Sequence, residues 1–392
     1  MNILHLGKYY PPEPGGMETF LRSLCLEQAR RGHTVRAVCH SRPGKGGQAS
    51  VCDHGVEVEF AQALGGASAS AFAPGFMGLA RRAAGLLDPG VVCLHLPNLS
   101  GMLAVLALRR KFIVHWHAPV RAFDLGIAAR AFLPAYRLLE ARVLGRGSRI
   151  IVTSRAMLEG CPQLAPHRHK CRVVPLGIDL AGEDLSPVLP GGPGAPLARA
   201  EIPASSPPGP QAPMVLSVGR FAPYKGFDRL VRAAGAVPGA RFVMAGDGPL
   251  HGAVRNLARD MGLCGRITFP GRVDDAERDS LYAACQVFCL PSVSPAEAFG
   301  LVLLEAMAQA RPVVASCPEW SGVAEVVAHR ETGLLVPPDD PGGLARALRL
   351  LLEDSSRARG MGLAGQARVR KLFDIRAVAS LTEQVYATAT LG

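Results

Sequence analysis

The sequence predicts an α/β fold built from two doubly wound parallel-sheet domains, and three observations predict it. The chain has 392 residues, too many for one average core and enough for two domains of roughly 180 residues each. Short apolar runs alternate with helical patterns along most of its length, which is how parallel strands covered by crossover helices read. The alternation stops between Ala181 and Pro213, where Pro, Gly, Ser and Ala dominate. That stretch has too little apolar surface to form a core and reads as a linker or flexible loop.

In the first half the expected strands are Asn2–Leu6, Val35–Cys39, Val56–Phe60, Val91–Leu94, Phe112–Trp116, Arg149–Val152 and Arg172–Val174. Helices fall between them, the clearest from about Met17 to Arg31 and from about Ala135 to Leu144. Beyond the linker the strands are Met214–Val218, Arg241–Ala245, Ile267–Phe269, Val287–Leu290, Pro312–Ala315 and Leu334–Val336, followed by a helical tail from about Pro341. The expected division is a first domain 1–180, the linker 181–213, a second domain 214–372 and a closing helix 373–392 that packs back toward the first domain. Such folds bind ligands beyond the carboxyl ends of their strands, so the site is expected in the cleft between the domains.

A hydrophobic content of 48% with 19% charged residues describes a folded soluble chain. Met1 leads straight into a strand, so no signal peptide is expected, and the longest lipid-like run, Leu99 to Leu108, is half the roughly 20 residues of a membrane span. A cytoplasmic protein is therefore expected. The ten cysteines form no C-x-x-C pair and read as small core residues in a reducing compartment. Residues 1–180 hold 22 Lys/Arg against 11 Asp/Glu and the remainder 21 against 21, so the whole net charge of +11 lies in the first half. Such a field draws phosphate-bearing partners, either phosphorylated substrates or anionic lipid. Nucleic acid is not expected, because no binding motif is present and only 6% of residues are aromatic. The segment Phe72 to Leu87 sets Phe72, Phe76, Met77, Leu79, Leu86 and Leu87 beside Arg81 and Arg82, with Pro74 and Gly75 interrupting it early. It reads either as an amphipathic helix on an anionic membrane surface or as a loop on its own core.

The most specific motif follows the strand Val287–Leu290 and runs from Pro291 through Glu297-Ala298-Phe299-Gly300-Leu301 to Glu305. A helix opening near Gly300 leaves the amides of Phe299, Gly300 and Leu301 unbonded at its positive end, where a diphosphate is readily accepted. Glu297 and Glu305 would repel phosphate, so their expected use is to accept hydrogen bonds from hydroxyls of a polyhydroxylated ligand. The second motif, Gly219-Arg220 to Lys225-Gly226, follows the first strand of the second domain and puts two cations where they can hold a diphosphate and stabilise it as it leaves. Gly246-Asp247-Gly248-Pro249 lies at the next strand end, with glycines that let backbone approach a ligand. In the first domain Gly15-Gly16 opens a helix and offers amides to a phosphate or an acceptor. His115 and His117 alternate at another strand end, so they are expected on opposite faces and unable to share a metal ion.

The E-A-F-G-L-V-L-L-E run, with the G-R-x-x-x-x-K-G and G-D-G-P elements, resembles the family-4 retaining glycosyltransferases of the GT-B fold, two Rossmann-like domains facing a cleft. The resemblance covers most of the chain. It implies transfer of a sugar from a GDP- or UDP-linked donor to a glycan, lipid-linked or small-molecule acceptor, as in cell-surface polysaccharide or glycolipid synthesis. It further implies that Glu297 contacts the donor sugar, Glu305 the nucleotide ribose, His117 a donor-sugar hydroxyl, Arg272 and Val273 the base, and Gly246 the donor. Gly15 and Gly16 fall in the family's G-G-x-E loop. Domain closure would bring the acceptor hydroxyl to the anomeric carbon from the leaving-group side, with retention of configuration. No D-x-D element is present, so neither metal nor cofactor is expected. The rivals are a non-catalytic sugar-nucleotide-binding protein and an epimerase of the same fold. Ala310 departs from the family, which often has glycine there.

Overall fold

The computed structural model describes residues 1–42, 50–64, 71–121, 130–180 and 212–390. The stretch read as a linker, 181–213, lies outside them except for its last two positions. The chain divides into two compact units, Met1–Asp179 with Asp374–Gly392, and Leu180–Phe373.

The first unit holds β1 (Asn2–Leu6), β2 (Thr34–Ser41), β3 (Ser50–Asp53), β4 (Val56–Gln62), β5 (Val91–Leu96), β6 (Ile113–Trp116), β7 (Arg149–Val152) and β8 (Cys171–Val173). They form one sheet in the order β3-β4-β2-β1-β5-β6-β7-β8. Every residue of β5 and β6 is buried, as expected of strands covered on both faces. Only β3 runs antiparallel, against β4, and the sequence does not announce it. Ser-Val-Cys-Asp is short, polar and half exposed, and it joins β4 through a turn at His54 and Gly55, both with positive φ.

The helix Gly16–Arg30 buries Phe20, Leu21, Leu24 and Cys25 at helical spacing. The closing helix Ile375–Thr390 packs on it and on β7. Arg31 donates to Ser380 Oγ at 2.8 Å and meets Glu383 at 3.3 Å, while Ile375 N donates to Ile178 O at 2.9 Å.

The Phe72–Leu87 segment forms the helix Phe76–Leu87, whose Phe76, Ala80, Ala83, Ala84 and Leu87 are buried in the unit. Arg82 meets Glu59 at 2.8 Å. An anchor using all its apolar residues is thereby corrected, because period-3.6 spacing serves a core as well as a bilayer; Phe72, Met77 and Leu86 remain exposed. No helix among the described residues is long and apolar enough to cross a membrane.

The second unit holds β9 (Met214–Val218), β10 (Arg241–Ala245), β11 (Ile267–Gly271), β12 (Val287–Leu290), β13 (Val313–Ser316) and β14 (Gly333–Val336). All pair in parallel, in the order β11-β10-β9-β12-β13-β14. Its core joins Val215, Phe242, Met244 and Val287 from the sheet to Leu230, Val254 and Leu348 from covering helices. The strands named from sequence appear in both units, with boundaries shifted by one or a few residues.

Candidate active site

In the second unit the chain winds outward from β9 in both directions, so a crevice opens where the carboxyl ends of β9 and β12 diverge. The loops leaving these strands carry the two strongest motifs. Gly226 has φ 65°, and a Cβ there would lie 2.1 Å from the Pro291 carbonyl oxygen. Only glycine allows this approach. Val293 N donates to Tyr224 O at 2.8 Å and ties the same two loops again.

This contact sets Lys225 against Glu297. Lys225 Nζ donates to Glu297 Oε2 at 2.6 Å, and Ser292 Oγ donates to the same oxygen at 2.8 Å. Ser321 Oγ holds the Glu297 backbone carbonyl. Both charged side chains are buried, at 10% and 8% exposure. Burial works against the Lys225 ammonium, but Glu297, with Tyr224 and Glu305 beyond it, outweighs burial and leaves its pKa above the ordinary value. The lysine is therefore charged throughout the neutral range, and among the described residues both donors meet Glu297 Oε2, with no donor on its other carboxylate oxygen.

Arg220, one residue beyond Gly219, is exposed, and among the described residues no carboxylate pairs with it. The helix Leu301–Ala308 is capped by Gly300 in the left-handed region. Among the described residues the amides of Phe299, Gly300 and Leu301 donate to no acceptor. Glu305 lies one turn into this helix and is not bare. Its Oε2 accepts from Tyr282 Oη at 2.8 Å, with Arg278 Nε at 3.9 Å. Burial, then the Glu305 carboxylate, pushes the Tyr282 phenol well up, so that hydroxyl remains a donor. Ser292, Tyr282 and Arg278 were assigned no role from sequence. Ser292 stands inside the quoted motif, and Arg278 and Tyr282 are spaced four apart on the helix Asp275–Ala284, a signal for one face but not for its partner.

Gly246 differs from expectation. A Cβ there would lie 1.9 Å from Gly219 O, so the close approach that requires glycine is made by the neighbouring backbone of the Arg220 loop. Gly246 N donates to Gly271 O at 2.6 Å, which brings Arg272 and Val273 to the same edge; Arg272 is exposed and Val273 half-buried.

In the first unit Gly15 caps the helix that begins at Gly16. Glu18 folds back on it, and a Cβ on Gly15 would lie 2.1 Å from Glu18 Oε2. Burial raises the Glu18 pKa and Lys8 offsets part of that. This acid already stands at the helix start where an anion was expected.

The expectation that His115 and His117 point apart fails. Residues two apart on extended backbone share a face rather than oppose one another, and the two imidazoles stack at 4.4 Å with 6° between planes. His95 joins them, and ligand nitrogens of His95, His115 and His117 lie within 4.8 Å of one another. The rings are nearly parallel, at 6° to 22°, and His95 Nδ1 is hydrogen-bonded to His117 Nε2 at 2.9 Å. Parallel rings set their lone pairs side by side, whereas one ion needs them to converge. Burial, then the neighbouring imidazoles, keeps all three well below the usual histidine pKa and hence neutral.

Comparison with known proteins bears on the family and the fold. Residues 14–181 match the family described as Glycosyltransferase Family 4, and residues 198–368 match Glycosyl transferases group 1. The D-rhamnosyltransferase WbpZ of Pseudomonas aeruginosa is 29% identical over 383 residues, 95% of this chain and 92% of that one. A phosphatidyl-myo-inositol mannosyltransferase of Mycolicibacterium smegmatis is 29% identical over 311 residues, 77% of this chain and 72% of its own. Among solved structures, sucrose-phosphate synthase from Thermosynechococcus elongatus superposes with a TM-score of 0.76 at 22% identity, covering 98% of both chains.

Proposed function

The chain belongs to the family-4 glycosyltransferases and has the GT-B fold, and on that premise we propose that it transfers a sugar, with retention, from a GDP- or UDP-linked donor. The acceptor proposed is a glycan or lipid-linked sugar in polysaccharide or glycolipid synthesis, a reading supported by the names of the rhamnosyl- and mannosyltransferase relatives. One observation carries the proposal. Lys225 and Glu297 are locked together at 2.6 Å, on loops that also carry Arg220 and a helix end whose first amides meet no acceptor among the described residues.

In this reading Arg220, Lys225 and the amides of Phe299, Gly300 and Leu301 hold the negative charge that grows on the departing diphosphate. Glu297 receives a donor-sugar hydroxyl on its open oxygen, oriented by Lys225 and Ser292, and His117 receives another. Glu305 takes the ribose hydroxyls while Tyr282 fixes its carboxylate. Arg272 and Val273 line the base, and Gly15, Gly16 and Gly246 stay with the donor only as backbone. As the anomeric bond to the diphosphate breaks, the acceptor hydroxyl bonds to that carbon on the same face, and its proton passes to the diphosphate oxygen. No metal takes part in the proposed step. A cytoplasmic enzyme contacting anionic lipid through Phe72, Met77, Leu86 and Arg81 completes the proposal.

The test is a panel of GDP- and UDP-sugars with and without a chelator, read by thermal shift, slow donor hydrolysis and the anomeric proton signals of the product. One nucleotide class is expected to stabilise the protein and to turn over with retained configuration in chelator. An inverted product, or stabilisation without turnover on any acceptor, would overturn the reading.

A further inference from the structure

Three buried side chains behind His117 form a single file that ends on it. On the helix Gly16–Arg30, Gln28 Oε1 stands 2.8 Å from His5 Nε2. His5 Nδ1 is 3.0 Å from His95 Nε2, and His95 Nδ1 is 2.9 Å from His117 Nε2. The topology makes this possible: β1, β5 and β6 are sheet neighbours, with His95 in register with His115, and His117 follows directly. Gln28 and His5 are fully buried, and His95 and His117 are exposed by 2% and 3%. The last ring nitrogen of the file, His117 Nδ1, has no hydrogen-bond partner among the described residues.

A neutral imidazole carries one N–H and one lone pair. In a file of neutral rings each hydrogen bond therefore dictates the next, and only two arrangements exist. With the Gln28 carbonyl toward His5, the protons sit on Nε2 of His5, His95 and His117, and His117 Nδ1 is left as an acceptor. With the amide turned, all three tautomers reverse and Nδ1 becomes a donor. The structure sets Gln28 Oε1, not its amide nitrogen, 2.8 Å from His5 Nε2, which is the first arrangement.

We propose that Gln28, His5 and His95 are positioning residues that fix the tautomer of His117, so that its buried Nδ1 is presented as an acceptor to a hydroxyl of the bound ligand. The idea rests on the proposed donor-sugar contact of His117 and deepens it. A glycosyl hydroxyl can donate to this atom, whereas a group offering only acceptors cannot.

The experiment uses the full-length protein with ¹⁵N-labelled histidine. Long-range ¹⁵N–¹H spectra at neutral pH report which ring nitrogen carries each proton. His5, His95 and His117 are expected to be uniform Nε2–H tautomers, and an Nδ1–H form at any of the three would overturn the proposal. In Gln28→Leu, checked for folding by circular dichroism, the uniform pattern is expected to break into mixed tautomers and kcat/KM to fall about 10-fold. An unchanged pattern overturns the idea, whereas restoration of pattern and rate in Gln28→Asn supports it. Adding the donor that turns over is expected to move His117 Nδ1 alone. If the tautomers are as stated but no donor moves that signal, the sugar contact of His117 fails while the relay stands, so the two failures are distinguishable.

Discussion

Lys225 and Arg220 are five residues apart in one loop but sit in opposite settings, which separates what their replacement does. Arg220 is exposed. Its alanine variant is expected to keep the parent's stability and lose turnover by about 100-fold or more, as a cation is removed from the leaving diphosphate. Lys225 is buried against Glu297. Lys225→Ala is expected to lose comparable activity and also about 3–5 kcal/mol of stability, because it strands a buried carboxylate. Denaturant unfolding alongside kinetics on folded protein checks both, and rates within threefold of the parent would refute the diphosphate role. The two glutamates separate in another way. Glu297→Ala is expected to harm transfer more than binding of the free nucleoside diphosphate, and Glu305→Ala to weaken that binding, with calorimetry deciding the order. These residues were legible as types in motifs. Their pairing was not, because 72 positions separate Lys225 from Glu297 and no local spacing encodes which oxygen is occupied.

Loop geometry decides whether these side chains meet, and at this level the sequence spoke unevenly. Parallel strands were legible because residues buried on both faces leave near-continuous apolar runs. β3 was not, since an exposed four-residue edge has no such run. The histidine pair was misread because residues two apart on extended backbone lie on one face, as the stacked rings of His115 and His117 show. Gly226 looked like motif punctuation, whereas its place is set by the Pro291 carbonyl on another loop. Gly226→Ala tests that account against Gly239→Ala. Both positions have positive φ, so each variant carries about 1–2 kcal/mol of left-handed strain. A Cβ on Gly239 meets nothing within 4 Å, while one on Gly226 meets backbone at 2.1 Å. Gly239→Ala is expected to lower the melting temperature modestly and leave turnover intact. Gly226→Ala is expected to lower it further and abolish most turnover, by moving Lys225 off Glu297. Equal behaviour of the two would remove the loop contact from the account of the site.

Over the whole molecule the titratable groups are distributed so that acid should strike one unit first. His5, His40, His95, His115 and His117 all belong to the first unit, and burial lowers every one, His5 and His40 to about 4 and the other three well below the ordinary value. A base whose folded pKa is depressed contributes stability above its unfolded value, near 6.5, and that stability is lost as pH falls toward the folded value. Between these limits the unfolded chain binds a proton at each histidine that the folded unit does not. Stability then falls by about 1.4 kcal/mol per pH unit for each. Glu18 and Glu140, raised by burial, work the other way and offset part of the slope. Below that range Asp53 adds to the loss: burial opposes its ionisation, but hydrogen bonds from Arg22, His54 and Tyr10 hold it at about 2. The two tryptophans report separately, since Trp116 is fully buried in the first unit and Trp320 lies in the second. Urea unfolding at about pH 7 and about pH 5 is expected to shift the Trp116 transition, followed in Trp320→Phe, to lower denaturant. The Trp320 transition, followed in Trp116→Phe, is expected to move little. Equal shifts at both reporters would show that the buried histidines do not govern the acid sensitivity of the fold.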